Sequence, residues 1–126
     1  MPLLALIVDD SMLIRHTIGR TMEKHGFRVE MASNGMAALE ALKNFRPDVI
    51  FTDLQMPKLS GEELINLLKG NPETAGIPIV VVAAKPLSGD VQEERAHSVI
   101  YKDMNIEVQL KRVVESFFPG KSETAD

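Results

Sequence analysis

Two apolar runs in this sequence each end in acidic residues. Residues 3–8 lead into Asp9 and Asp10, and residues 49–52 lead into Asp53. Continuous apolar runs of this length are typical of strands that helices cover on both faces of a parallel sheet. Because ligands bind beyond the carboxyl ends of such strands, the pattern constrains both the fold and the place of a site.

Strand-like and helix-like segments alternate along the chain. Strands are indicated at about 3–8, 27–32, 49–52, 79–83 and 98–101, and helices at about 12–25, 36–45, 61–69 and 106–118. This alternation predicts an α/β fold, a doubly wound five-stranded parallel sheet of strand order 2-1-3-4-5. The segment between the fourth and fifth strands is short and polar, so helix 4 is predicted to be short or absent. We expect one domain over 3–118 and a flexible tail over 119–126.

Composition narrows the classes of partner. The 126-residue chain has no cysteine, no tryptophan, one tyrosine and a net charge of −4. The lack of cysteine excludes a disulfide framework, and the acidic balance with few aromatic residues argues against a nucleic-acid surface. No apolar run approaches the ~20 residues that a bilayer-spanning helix needs. We therefore expect a cytoplasmic protein that binds neither nucleic acid nor membrane.

Three acidic side chains are expected to converge at the switch point of this sheet. Asp9 and Asp10 follow the first strand, Asp53 follows the third, and the strand order makes these two strands neighbours. Carboxylates in one pocket repel and raise one another's pKa, and a divalent cation removes this conflict. Oxygen ligands without nitrogen or sulfur favour Mg²⁺, Mn²⁺ or Ca²⁺. Such a site suits phosphoryl transfer, with Asp53 as the nucleophile that forms an aspartyl phosphate.

Simpler, purely structural interpretations apply to several aspartate, lysine, histidine and methionine residues. Asp9 or Asp10 could have no role beyond capping the following helix, and Lys85 or Lys102 could be a solvated surface lysine. The three histidines show no metal-ligand spacing and are predicted to lie at the surface. The seven methionines are predicted to fill gaps in the core.

Together these motifs resemble the receiver domains of two-component response regulators. The resemblance covers about residues 3–118 and rests on Ile7-Val8-Asp9-Asp10-Ser11, Asp53-Leu54-Gln55-Met56-Pro57 and Gly61. It implies a flavodoxin-like fold with Mg²⁺ held by Asp9, Asp10, Asp53 and the backbone carbonyl of Gln55. It also implies phosphoryl transfer to Asp53 from a sensor histidine kinase or a phosphotransfer protein, and signalling to a downstream protein target. Lys102 matches the family's lysine that pairs with the phosphate.

The second half of the sequence departs from that family pattern. Ala83 stands where the family has a serine or threonine whose hydroxyl binds the phosphoryl group, and alanine cannot donate. Val99 occupies the family's aromatic switch position, while Tyr101 lies two residues later on the same strand face. Asp103 replaces the proline that usually follows Lys102 through a cis bond, so we expect a trans bond and a reshaped loop. The acidic pocket is expected to be intact and the switch impaired or non-standard.

Three functions remain open on the sequence alone. The first is a receiver phosphorylated at Asp53 that is not an enzyme, in which Gln55 and Lys85 flank the path of the attacking water and set the dephosphorylation rate. The second is a protein-binding module that no longer depends on phosphorylation. The third is a phosphatase, but Gln55 stands where haloacid-dehalogenase-type phosphatases carry a proton-exchanging acid.

Overall fold

A computed structural model describes residues 3–84, 97–102 and 105–120 of the chain. In chain order these residues form β1 (Leu4–Val8), α1 (Met12–Lys24), β2 (Arg28–Ala32), α2 (Gly35–Ala41), β3 (Val49–Thr52), α3 (Gly61–Lys69), β4 (Ile79–Ala83), β5 (Ser98–Tyr101) and α4 (Ile106–Phe117). The helix predicted to be short or absent falls on residues 85–96, outside the described residues, as does tail segment 121–126. No described helix is both long and apolar enough to cross a bilayer.

The five strands form one parallel sheet in the order β2-β1-β3-β4-β5, as predicted. β1 and β3 lie at its centre, and both are buried over almost their whole length. Their register pairs Val8 with Thr52, so the two strands end at the same level. The residues that follow these two strands therefore start side by side.

Helices cover both faces of the sheet because strand side chains alternate between them. One face packs against α1 and α4 in a core of Ala5, Ile7, Phe51, Val80, Val82 and Ile100 with Ile18, Met22, Leu110, Val113 and Val114. The other packs against α2 and α3 in a core of Leu6, Val8, Ile50, Val81 and Ala83 with Ala38, Leu64, Ile65 and Leu68. Apolar burial of this extent is the main source of stability.

Side-chain caps fix where the helices begin. The side chains of Ser11 and Asn34 accept hydrogen bonds from backbone N–H groups in the first turns of α1 and α2. Ser60 and Glu63 form the predicted capping box at α3, with both reciprocal hydrogen bonds at 3.1 Å. Asn105 caps α4 by accepting the Val108 amide with its side chain. These caps set the distance between each strand end and the next helix.

Some details of the sequence interpretation were wrong. α2 ends at Ala41 rather than near residue 45, because the next amides bond back three residues and tighten the chain into turns. His25, predicted at the surface, is buried at the carboxyl end of α1. Met12 and Met36, predicted to fill the core, are 64% and 52% exposed in the first turns of their helices.

Candidate functional site

The ladder of backbone hydrogen bonds in the sheet extends one residue beyond the ends of β1 and β3. The amide of Asp53 donates to the carbonyl of Val8 at 3.0 Å, and the amide of Asp9 donates to the carbonyl of Ala32 at 3.1 Å. Asp9 and Asp53 thus leave the sheet from fixed positions on adjacent strands. This is the edge at which doubly wound sheets bind ligands.

Asp9, Asp10 and Asp53, called here the acidic cluster, each place a carboxylate oxygen within 4.8 Å of the others. Asp9 is fully buried, Asp53 is partly buried and Asp10 is exposed. The structure thus brings together the three carboxylates that the sequence predicted to converge. Like charges at this separation repel strongly where solvent is excluded.

Lys102, directly after β5, reaches into the acidic cluster. Its Nζ donates to Oδ2 of Asp53 at 2.9 Å and lies 3.0 Å from Oδ2 of Asp9. Its side chain is 18% exposed, so water screens these contacts only in part. Lys102 is therefore a component of the site rather than a solvated surface lysine.

Burial and charge act against each other at the site. Burial raises the pKa of the Asp9 carboxyl above its usual range, although the Ser11 amide and the Lys102 ammonium oppose this shift. Burial would by itself lower the pKa of Lys102, but its contacts with Asp53 and Asp9 outweigh burial and raise that pKa. Lys102 therefore remains charged, and three carboxylates against one ammonium leave an excess of negative charge.

The loop after Asp53 is held close to the site. The Thr52 hydroxyl donates to the Asp53 carbonyl at 2.8 Å, and the Gln55 amide lies 3.3 Å from Asp53 Oδ1. The Gly61 amide donates to the Leu54 carbonyl at 2.8 Å. A Cβ at Gly61 would overlap the Asp53 carbonyl oxygen and lie 2.7 Å from Leu54 Cα, so only glycine fits there. The start of α3 thereby braces the backbone of Asp53.

Three further predicted site residues lie on β4 and β5. Ala83 is buried at the end of β4, and its carbonyl accepts the Lys102 amide at 2.8 Å. Val99 and Tyr101 pack against the same core cluster, as expected for alternate residues of one strand. Lys85 and Asp103, with the predicted trans bond and reshaped loop, lie outside the described residues.

Sequence reasoning missed contacts at two places around the site, the first at Asp9 and the second at Tyr101. The Arg15 guanidinium donates to the Asp9 carbonyl at 2.7 Å, and the Ser11 amide donates to Asp9 Oδ1 at 2.9 Å. Arg15 lies one turn into α1, a spacing that lets it reach back to the strand end. Gln109 of α4 bonds both backbone groups of Tyr101, beside Lys102. Nothing in the sequence pattern indicates this second contact.

The acidic cluster fits a divalent cation. Within the described part of the chain, Oδ2 of the buried Asp9 has the Lys102 ammonium at 3.0 Å as its one polar partner, which leaves its second electron pair for a ligand. All the candidate donors are oxygens, the set that Mg²⁺ and Mn²⁺ prefer. Among the described residues, three carboxylates face the one ammonium of Lys102, and this surplus favours a further positive charge. The residues present therefore suit such an ion on their own chemistry.

A doubly wound sheet of this order with an acid cluster at its switch point defines a CheY-like signalling domain. The chain belongs to the response regulator receiver domain family of two-component systems, whose profile matches residues 5–114.

Similar proteins agree with this assignment. The polar-differentiation response regulator DivK of Brucella anthropi is 36% identical over 95 residues, which are 75% of this chain and 76% of DivK. The response regulator MprA of Mycobacterium sp. (strain KMS) is 35% identical over 85 residues, 68% of this chain but only 36% of MprA, so the match spans about a third of that regulator. The chemotaxis protein CheY4 of Vibrio cholerae superimposes with a TM-score of 0.84 at 25% identity, covering 94% of this chain and 100% of CheY4.

Proposed function

We propose that this receiver domain accepts a phosphoryl group on Asp53 from a sensor histidine kinase or phosphotransfer protein and signals through contacts with a downstream protein. The observation that carries the proposal is the meeting of Asp53 with Asp9, Asp10 and Lys102 in one pocket. Membership of the family supports it. Its setting would be the cytoplasm, where such kinases present their phosphorylated histidine.

The side chains around Asp53 have separate tasks in this scheme. Asp9, Asp10, Asp53 and the Gln55 carbonyl would hold Mg²⁺ or Mn²⁺, which supplies charge neutralisation for the transferring phosphoryl group. The Asp53 carboxylate is the nucleophile. The Lys102 ammonium, already bonded to Oδ2 of Asp53, is placed to pair with the new phosphoryl oxygens.

The readout of phosphorylation is proposed to be non-standard. Ala83 provides no hydroxyl for the phosphoryl group, and Val99 provides no aromatic ring to turn inward. One hydrogen bond to a charged group contributes about 1.5–3 kcal/mol, enough to bias a two-state equilibrium by tenfold or more. Gln55 and Lys85 are proposed to set the dephosphorylation rate, because the sequence predicts that they flank the path of the attacking water.

These departures also favour a second candidate, a domain that binds its partner whether or not Asp53 is phosphorylated. The substitution Asp53→Asn separates the two functions, because it removes the nucleophile and keeps the size of the side chain. A phosphorylation-driven domain loses its regulated partner binding in this variant. A constitutive binding module keeps it.

The proposal is tested by following amide chemical shifts after addition of Mg²⁺ and beryllofluoride, which mimics a phosphoryl group. We expect shifts at Asp9, Asp10, Asp53 and Lys102, with weaker shifts across 84–101 than at the pocket. Unmoved amides around Asp53 would reject the phosphoacceptor role. Shifts across 84–101 as strong as those at the pocket would reject the non-standard switch.

A further inference from the structure

Lys102 directly follows Tyr101, the last residue of β5, which is an edge strand of the sheet. On the side that faces β4, the Lys102 amide donates to the Ala83 carbonyl at 2.8 Å. The next residue is Asp103 rather than a proline, so no ring restrains the backbone after Lys102. A lysine has four rotatable side-chain bonds, and its ammonium position depends on a firmly held Cα. A contact on the outer side of β5, away from β4, would restrain that backbone further.

Gln109 makes this outer contact. The amide of Tyr101 donates to Oε1 of Gln109 at 2.8 Å, and Nε2 of Gln109 donates to the Tyr101 carbonyl at 2.9 Å. The carboxamide thus bonds the peptide groups on both sides of Tyr101, as a neighbouring strand would. The Tyr101 carbonyl belongs to the same peptide unit as the Lys102 amide. That peptide unit is therefore bonded from both sides, by Gln109 and by Ala83.

The helix backbone that carries the Gln109 side chain is itself fixed. The neighbouring Leu110 is fully buried, and Val113 and Val114 of the same helix face are buried beside it. Asn105 caps α4, and its carbonyl lies 3.4 Å from Nε2 of Gln109. Because α4 is anchored in the core, Gln109 ties the end of β5 to a rigid element rather than to another loop.

We propose that Gln109 is the positioning residue for Lys102: by clamping the Tyr101 peptide groups, it holds the Lys102 ammonium against Asp53. This inference rests on the proposed function of Asp53 as phosphoryl acceptor. Gln109 touches neither the acidic cluster nor a phosphoryl group, and it acts only through the backbone that carries Lys102. It takes over the restraint that a proline after the lysine would provide.

The test compares Gln109→Leu with Arg112→Leu in the full chain. Leucine keeps much of the bulk of glutamine and removes both hydrogen bonds, while Arg112 lies almost one turn further along α4 and lines, with Gln109, the groove between β5 and α4. The rate of phosphoryl uptake from phosphoramidate is measured at saturating Mg²⁺, together with Mg²⁺ affinity and thermal unfolding. Misplacement of a reacting group by about 1 Å can cost up to a hundredfold, so we expect Gln109→Leu to lose at least about tenfold in rate. Arg112→Leu should keep both the rate and the Mg²⁺ affinity, whereas the Mg²⁺ affinity of Gln109→Leu should rise, because the displaced Lys102 ammonium repels the ion less.

A double-mutant cycle separates positioning from general destabilisation. In a Lys102→Met background, Gln109→Leu should have no further effect on the rate, because the group that it positions is gone. An equal rate loss with and without Lys102, or no loss in either, overturns the inference. Lower thermal stability with an unchanged rate does so as well, since it reduces Gln109 to a structural contact.

A second measurement decides the inference even if the domain takes up no phosphoryl group. The chemical shift of the Lys102 ε-methylene, read in lysine-labelled protein without metal, reports whether the ammonium stays in the pocket. It should move towards the value of exposed lysines in Gln109→Leu and stay in place in Arg112→Leu. An unmoved signal in Gln109→Leu overturns the inference, whereas absent phosphorylation of the unmodified chain overturns only the proposed function.

Discussion

The ammonium of Lys102 bonds the carboxylate of Asp53 at 2.9 Å, although 49 residues separate them in the sequence. The contact joins the ends of β3 and β5, which are not neighbours in the sheet. Lys102 crosses the end of β4, where Ala83 has only a methyl side chain. One cation therefore balances part of the acidic cluster and stands where a phosphoryl group on Asp53 would place its charge.

The substitution Lys102→Met should separate metal binding from phosphoryl uptake. Mg²⁺ affinity should rise, because the positive charge beside the carboxylates is removed. Phosphoryl uptake should fall on the order of a hundredfold, as for the loss of one charge-stabilising donor. Calorimetry measures the first quantity and intact-mass kinetics the second. Lys111→Met, on the exposed face of α4, is the control, and a parallel fall of both quantities in Lys102→Met would contradict these roles.

Gly61 should tolerate no side chain. A Cβ there meets backbone atoms of Asp53 and Leu54, which cannot move aside without shifting the site. Gly61→Ala should lower the free energy of unfolding by about 1–3 kcal/mol, as overpacking does, and weaken Mg²⁺ binding. Gly76→Ala is the matched control, because nothing lies within 4 Å of its added Cβ. It should stabilise the chain by roughly 0.4–1 kcal/mol. Equal unfolding midpoints in denaturant for the two variants would refute the close contact.

Stability should fall as the pH drops through the range in which His97 titrates. His97 Nδ1 accepts the Ile79 amide at 3.0 Å, a bond that requires the unprotonated nitrogen. Burial and the nearby Lys69 ammonium lower the pKa of His97 in the folded chain. The unfolded chain therefore binds the proton first, below pH ~6.5, and the contribution of this bond is lost between that pH and the lower folded pKa.

The variant His97→Gln tests this assignment through denaturant titrations at several pH values. Glutamine keeps an acceptor but does not titrate, so the stability should depend less on pH below ~6.5 than in the unmodified chain. If His97→Gln leaves the slope intact, another group is responsible.

Ala83→Thr should restore part of the missing phosphoryl contact. A hydroxyl at the end of β4 could donate to a phosphoryl group on Asp53, a bond to a charged group worth about 1.5–3 kcal/mol. Beryllofluoride affinity in the presence of Mg²⁺ should therefore rise about tenfold or more. Ala83→Val adds the same bulk without a hydroxyl and should give no gain. A gain in both variants, or in neither, would show that the hydroxyl is not what Ala83 lacks.

Patterns of apolar residues were sufficient to predict the sheet and the acidic cluster. The runs before Asp9 and Asp53 identify central parallel strands, and strand order then makes the two carboxylates neighbours. Burial at the helix termini was less predictable, since the exposure of Met12 and the burial of His25 depend on where α1 begins and ends. The Gln109 clamp arises only from the docking of α4 beside β5, which no local sequence pattern records.

The most direct test of the account is the mass of the intact chain after incubation with phosphoramidate and Mg²⁺. We expect one added phosphoryl group, absent from Asp53→Asn and absent when the divalent ion is chelated. An unmodified mass in the native chain, or a phosphoryl group that persists in Asp53→Asn, would contradict phosphoryl acceptance at Asp53.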